Sequence, residues 1–396
     1  MKILQVTPLY PPHIGGIEKH VSQLSQKLVE LGHQVTVYTS NIPKSKEYEL
    51  VKGVHIYKFN SLCSPLNNQI TPALFFKLIS KNNFDIVHIH SQVHFSSNIT
   101  VLSNIGRRCP IILTSHGVPE YKEGWKKTVN ILHDKTITKW MFKSTDKIIA
   151  LSVKHKEILE NLGADPDKVE IISNWVDMKD INFNIDVDGF KKLYHLEDKK
   201  VILYVGGLIP RKGINFLISA MEYIEKDAVL LIVGSEMKAY KGMKDSLKKQ
   251  VKDLGLNNVF FLGSLTDEDL QRAYSVSDIF VLPSTSEIFG LVILESMVYA
   301  KCVVASNVSG PSSIIEDHKN GFLFEPGNAL QLADKINYSL SNPQVLKDIG
   351  QNAKSMVENK YNINITVQKI LDIYNEVVQR RRSCMAKEFV VIKTTT

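Results

Sequence analysis

The chain has 396 residues, of which 44% are hydrophobic and 22% charged, and carries a formal net charge of +7. That length calls for two domains of about 150–200 residues each, and no apolar run nears the ~20 residues of a membrane-spanning helix. The start, Met1–Val6, enters a strand pattern with no cleavable signal, and Cys63, Cys109, Cys302 and Cys384 show neither disulfide nor metal spacing. A cytoplasmic protein with reduced thiols is expected.

In the first half, strands are predicted at Ile3–Thr7, Gln34–Thr39, His55–Phe59, Ile86–His90, Ile111–Ser115, Lys147–Leu151 and Val169–Ile172. Short apolar runs without alternation suit parallel strands buried on both faces, and the helical patterns between them supply the crossovers. After the first strand, Gly15-Gly16 open a helix. Paired glycines there let backbone N–H groups approach a phosphate, or simply make a tight turn. The pair is not a GxGxxG fingerprint, and the strand Thr36–Ser40 ends without an acid for a ribose, which argues against a dinucleotide dehydrogenase. His88 and His90 share a strand face with no third ligand near in sequence, so they read as packing or cleft-lining residues. His116, at a strand end before Gly117, can reach into a cleft or serve the structure.

Charge is uneven. Residues 1–175 hold 21 Lys and Arg against 14 Asp and Glu, whereas residues 176–396 hold 27 of each class. A basic first half suits an anionic acceptor or a membrane surface, or is an ordinary solvated face; no nucleic-acid motif accompanies it. The segment Tyr121–Lys143 mixes Trp125, Trp140, Met141 and Phe142 with six lysines, a pattern of interfacial helices or of a helix with a core face.

Polar interruptions at 177–200 mark the boundary, giving domains at 1–178 and 199–360, with a helix and basic tail at 361–396 packing back towards the first domain. The helix is predicted at Ile363–Arg380 and the residues after it as poorly anchored. Second-half strands are predicted at Val201–Val205, Ala228–Val233, Val259–Leu262, Ile279–Leu282, Val303–Ala305 and Gly321–Phe324. Gly206-Gly207 lead to Arg211-Lys212-Gly213. Cations before a helix oppose its dipole, and an anion such as a diphosphate would supply the reason. Glu287 follows the strand Ile279–Leu282, and Glu295 lies eight residues on inside an apolar helix pattern. A carboxylate embedded there costs several kcal/mol unless something donates to it, and vicinal ribose hydroxyls are suitable donors. Backbone N–H groups of Phe289, Gly290 and Leu291 at the helix start suit phosphate or sugar oxygens. The triplets Asp165–Asp167, Asp186–Asp188 and Asp267–Asp269 read as loop and cap residues.

Assembled in this order, the motifs resemble those of glycosyltransferase family 4 over about residues 1–375. The most specific is Glu287 and Glu295 in the context Glu-x-Phe-Gly-Leu. Gly15-Gly16 with Glu18 and His20, His116-Gly117, Asn174 with Val176-Asp177, Arg211-Lys212-Gly213 and Asn320-Gly321-Phe322-Leu323 with Glu325-Pro326-Gly327 support it. The resemblance implies two doubly wound, parallel-sheet Rossmann-like domains facing each other across a cleft, the GT-B fold. It implies a retaining transferase with a UDP- or GDP-sugar donor carrying a hexose or N-acetylhexosamine. The acceptor is anionic, lipid-linked or a glycan, with peripheral contact at the inner face of the membrane through the basic domain. Lys212 binds the diphosphate and Glu295 the ribose; Glu287 and the amides after it contact the sugar, His116 faces it, and Gly15-Gly16 approach the phosphates. No metal and no cofactor are implied. The sequence departs from the family at Gly207, where an Arg is usual, at Trp175, where a Gly is usual, and at Ser313, where a Glu is usual; Arg211 is the candidate to compensate for Gly207. The competing readings are a nucleotide-sugar epimerase of the same architecture and a catalytically weak nucleotide-sugar-binding protein.

Overall fold

The computed structural model describes residues 1–394 except 14, 66–67, 81–82, 107–108, 118–124 and 226. It forms two compact units, Met1–Asn174 with Asn364–Thr396, and Trp175–Ile363.

The first unit holds strands β1 (Lys2–Val6), β2 (Gln34–Ser40), β3 (Tyr48–Val51), β4 (Val54–Phe59), β5 (Ile86–His90), β6 (Ile111–Thr114), β7 (Lys147–Ala150) and β8 (Val169–Ile171). They lie in the order β3-β4-β2-β1-β5-β6-β7-β8. Every pairing is parallel except β3 with β4. That edge strand lay outside the predicted series. Three of its four residues are exposed, so it lacks a buried apolar run. Its turn, Lys52-Gly53, takes two positive φ angles, 48° and 79°, a conformation that Asn-Gly would have advertised more clearly. The core gathers Leu4, Val6, Ile89, Leu113 and Ile148, with Met141 and Phe142 at 0% and 1% exposure and Trp140 packed against it. Those three residues are therefore core, and the interfacial reading of them is corrected. Lys122 and the side chains of Trp125, Lys126 and Lys127 lie outside the described residues.

The second unit holds β9 (Lys200–Val205), β10 (Ala228–Val233), β11 (Val259–Gly263), β12 (Ile279–Leu282), β13 (Cys302–Ser306) and β14 (Phe322–Phe324). Their order, β11-β10-β9-β12-β13-β14, is that of a dinucleotide-binding sheet. β10 is buried at all six residues, which explains its unbroken apolar sequence.

Strand order reverses between β1 and β5 in one sheet and between β9 and β12 in the other. Loops after such strands diverge and leave a crevice at their carboxyl ends. The segments that follow β1, β5, β9 and β12 are thus the places to look for ligand chemistry.

The last helix runs Ile363–Thr394 and belongs to the first unit beyond Ile363. Its basic stretch is anchored, contrary to the expected loose tail: Arg381 Nη2 lies 2.9 Å from Asp146 and Arg382 Nη2 3.2 Å from Asp85. Both aspartates stand just before a strand, β7 and β5. Asp165 accepts from the Asp167 N–H and Asp186 from that of Asp188, as loop and cap residues do, whereas Asp267 and Asp269 fill the first turn of a helix that Thr266 caps.

Candidate functional site

At the second unit's switch point, β9 leads into Gly206-Gly207 and a single turn, Pro210–Lys212. Gly213 follows with φ 65°, and a Cβ there would come within 2.0 Å of the Pro283 carbonyl, so only glycine lets this loop pass the end of β12. That approach brings Lys212 against Glu287. Their side chains, each 13% exposed, form an ion pair, and Arg211 Nη1 stands 3.7 Å from the same carboxylate. Arg211 also donates to the Ser286 carbonyl at 3.1 Å, and the Thr285 N–H donates to the Arg211 carbonyl at 2.8 Å. Two cations thus share one acid at the carboxyl end of the sheet. The group carries net positive charge, as an anion site requires.

Tyr204, missed in the sequence, closes the floor of this group. Its hydroxyl donates to the Gly207 carbonyl at 3.1 Å, and burial followed by the Glu287 charge pushes its pKa up. Beyond Glu287, Phe289 is 3% exposed and packs against Tyr361, so its side chain serves the unit's core. Gly290, at φ 90°, caps the helix Leu291–Val298. Gly310 lies against this loop: a Cβ on it would be 2.6 Å from the Phe289 nitrogen, and its N–H donates to the Glu287 carbonyl at 2.7 Å.

Glu295 is half-buried rather than sealed, and its carboxylate accepts from the Tyr274 hydroxyl at 3.1 Å. The protein itself thus supplies one of the donors that a carboxylate in this apolar helix calls for. Tyr274 and Tyr299 stack beside it, with ring centroids 5.5 Å apart. Burial and the Glu295 charge raise the Tyr299 pKa to about 12, so both phenols stay neutral donors. The Tyr274 hydroxyl takes one of the about four lone-pair sites that a carboxylate offers. Asn320 is structural, donating to the Ile314 carbonyl at 3.1 Å, and Trp175 is buried at 2% exposure.

In the first unit, Gly15 precedes the helix Gly16–Glu30 in extended conformation. A Cβ on Gly16 would meet nothing within 4 Å, whereas one on Gly15 would lie 2.2 Å from a Glu18 carboxylate oxygen, which already stands at this helix start. The same helix carries His20 inward. β5 supplies His90 and the end of β6 supplies His116, and one ring nitrogen of each lies within 4.8 Å of the others. Ring centroids of His20 and His116 stand 4.7 Å apart, and His90 Nδ1 is 3.1 Å from His116 Nε2. Among the described residues, these three are the ones that could hold a metal, and the sequence did not bring them together. The 3.1 Å approach is equally that of a hydrogen bond between neutral rings. Burial, then neighbouring histidines, hold His90 and His116 well below the usual imidazole range, and His20 is pushed down to about 3 by burial and His88.

Two family models match the chain, Glycosyltransferase Family 4 over residues 14–180 and Glycosyl transferases group 1 over 188–356. An uncharacterized glycosyltransferase of Methanocaldococcus jannaschii is 30% identical over 397 residues, covering 94% of this chain and 98% of its own. The UDP-Gal:alpha-D-GlcNAc-diphosphoundecaprenol alpha-1,3-galactosyltransferase of Escherichia coli is 28% identical over 320 residues, 76% of this chain and 78% of its own. Among solved structures, Anabaena Alr3699/HepE in complex with UDP-glucose gives a TM-score of 0.80 at 20% identity, covering 95% of this chain and all of that one (100%), a likeness of fold.

Proposed function

The chain belongs to the group 1 glycosyl transferases of glycosyltransferase family 4, and on that premise we propose that it transfers a hexose or N-acetylhexosamine from a UDP- or GDP-sugar, with retention and without a metal ion, to a glycan or lipid-linked acceptor of the cell envelope. The observation that carries the proposal is the Arg211–Lys212–Glu287 group at the switch point. In the free protein Glu287 offsets Lys212. A donor diphosphate competes for that lysine, and the displaced carboxylate is then available to accept hydrogens from sugar hydroxyls. Binding one end of the donor thereby prepares the group that holds the other.

The chemistry asks for charge at the leaving diphosphate, and fixed cations at that point stabilise the transition state without reorganisation. Lys212 and Arg211 take that role in place of a metal. Glu295 takes the ribose, sharing its carboxylate with Tyr274, and the backbone at Phe289, Gly290 and Leu291 follows the phosphates and sugar. Gly15-Gly16 and His116 are the first unit's contribution, at the phosphates and the sugar. The acceptor attacks the face from which the diphosphate departs, and a leaving oxygen takes its proton. Glu287 serves as a sugar ligand rather than as a covalent nucleophile, the role that the resemblance to the family implies for it. The lipid-linked acceptor and UDP in the names of the similar proteins support the substrate classes.

The test is a panel of nucleotide sugars offered with undecaprenyl-diphosphate-sugar and soluble glycan acceptors, in chelator. NMR of the product reads the anomeric configuration. Retention with one UDP- or GDP-sugar is expected; inversion, or activity only on adding manganese, would overturn the mechanism. Donor binding with neither transfer nor hydrolysis would favour the weak binder that Gly207 suggests.

A further inference from the structure

A buried chain of hydrogen bonds in the first unit ends on His116. The Thr114 Oγ1 is 2.7 Å from His88 Nε2, and His88 Nδ1 is 2.6 Å from the Tyr374 hydroxyl. Gln5 Nε2 donates to that hydroxyl at 3.2 Å, and Gln5 Oε1 lies 2.7 Å from His90 Nε2. His90 Nδ1 completes the chain at 3.1 Å from His116 Nε2. Gln5, His88, His90 and Tyr374 are all 0% exposed, so water does not substitute for a lost partner.

The hydrogens follow from what each atom is able to do. The Gln5 amide nitrogen donates to the Tyr374 oxygen, so the phenol's own hydrogen goes to His88 Nδ1. Neutral His88 then carries its hydrogen on Nε2 and donates to Thr114. On the other arm, the Gln5 carbonyl oxygen only accepts, so His90 carries hydrogen on Nε2 and presents a lone pair at Nδ1. His116 must donate to that lone pair from Nε2, which leaves its own Nδ1 an acceptor. One amide sets both arms. Turning Gln5 over would reverse every bond and give His116 the opposite tautomer.

We propose that Tyr374 is a positioning residue for His116: it pins the Gln5 amide and, through His90, holds His116 with hydrogen on Nε2 and the Nδ1 lone pair free for a hydroxyl of the donor sugar. The inference rests on the assignment of His116 to the sugar made above. Tyr374 lies 369 residues from Gln5, on the helix that starts at Ile363. The last helix is thus wired to the site and does more than cover the sheet.

Tyr374→Phe removes one oxygen and keeps the ring. Selective 15N labelling of histidine reads the tautomer directly, with the His116 signals identified by their loss in His116→Gln. In the parent, His116 should show a protonated Nε2 and an unprotonated Nδ1. In Tyr374→Phe the two forms should mix, and kcat should fall on the order of tenfold, within the range a misplaced reacting group costs. UDP affinity should hold, because Lys212 is untouched. Val377→Ala, on the same helix and buried at 3% exposure, is the control for simple destabilisation and should change neither the tautomer nor kcat. An Nδ1-protonated His116 in the parent, or a tautomer unchanged in Tyr374→Phe, would overturn the proposal. A parent-like His116→Ala would instead remove the role of His116 in transfer and leave the tautomer result standing.

Discussion

Lys212 and Glu287 stand 75 residues apart in sequence and form an ion pair that ties the loop after β9 to the loop after β12. Each side chain is mostly covered, so removing one partner strands the other, and the two single losses should not add. Lys212→Ala should lower kcat by about 10²–10³-fold, the scale for deleting one preorganised stabilising donor. Glu287→Gln should keep diphosphate binding, because it frees Lys212, while weakening discrimination among donor sugars. UDP binding by calorimetry separates the two. Tighter UDP binding in Glu287→Gln is expected, and weaker binding would show that Glu287 does not compete with the diphosphate.

Arg211 sits 3.7 Å from Glu287, close enough to replace the cation that Gly207 lacks. Arg211→Ala should therefore impair transfer. Gly207 has an ordinary backbone, and a Cβ there would meet nothing nearer than the Ser235 carbonyl at 4.0 Å. Gly207→Arg should fold and should recover part of the activity lost in Arg211→Ala. Steady-state kinetics of the two singles and the double decide it: full additivity with no rescue would end the compensation argument.

Glu295→Gln keeps shape but removes the charge that accepts hydroxyls, and donor affinity should fall by ~1–3 kcal/mol. Tyr274→Phe should cost less, since it frees a lone pair on Glu295 while loosening its aim. UDP binding by calorimetry checks both. Parent-like affinity in Glu295→Gln would remove the ribose assignment.

These three cases also show what the sequence discloses. Strand β5 was readable residue for residue, Ile86–His90, because a run buried on both faces has no alternation to obscure it. Lys212 and Glu287 were readable singly, since each follows a strand, but their contact depends on Gly213 passing Pro283. The link from Tyr274 to Glu295 was not readable, because a phenol in an amphipathic helix looks like core until its hydroxyl is located. The convergence of His20, His90 and His116 was hidden for a similar reason: a helix, a strand and the loop after another strand supply one ring each, and sequence spacing carries no trace of their meeting.

The buried histidines give the stability a definite pH dependence. His20 and His88 are held down to about 3, and His94 and His155 to about 4, in each case by burial first. Unfolded, each titrates near pH 6.5. Below that value the unfolded state binds protons that the folded state refuses, so stability present above pH 6.5 is lost as pH falls towards 3–4. Thermal melts should show Tm level from pH 8 to 7 and falling steadily from about 6.5 downwards. Because His116 is also held low, kcat should not show a step near 6.5. A Tm independent of pH between 7 and 4 would contradict the buried, neutral cluster.

The final prediction concerns the segment after His116. Met141 and Phe142 are core, which removes them as membrane anchors, yet Ile131, Leu132 and Ile137 are 36%, 63% and 39% exposed. Lys135 and Lys139 are exposed beside them in sequence. Apolar side chains flanked by lysines are what an interfacial helix places among headgroups, and they fit a lipid-linked acceptor. Cosedimentation with anionic vesicles should be strong at low salt and weak at high salt, because polybasic attraction fades as the screening length shortens. Neutral vesicles should bind poorly. Lys135/Lys139→Glu should reduce the salt-sensitive part, and Ile131/Leu132/Ile137→Ser the part that survives salt, so the two variants dissect the attachment. Negligible binding by the parent to anionic and neutral vesicles alike, at both salt concentrations, would end the membrane reading and leave a soluble glycan acceptor open.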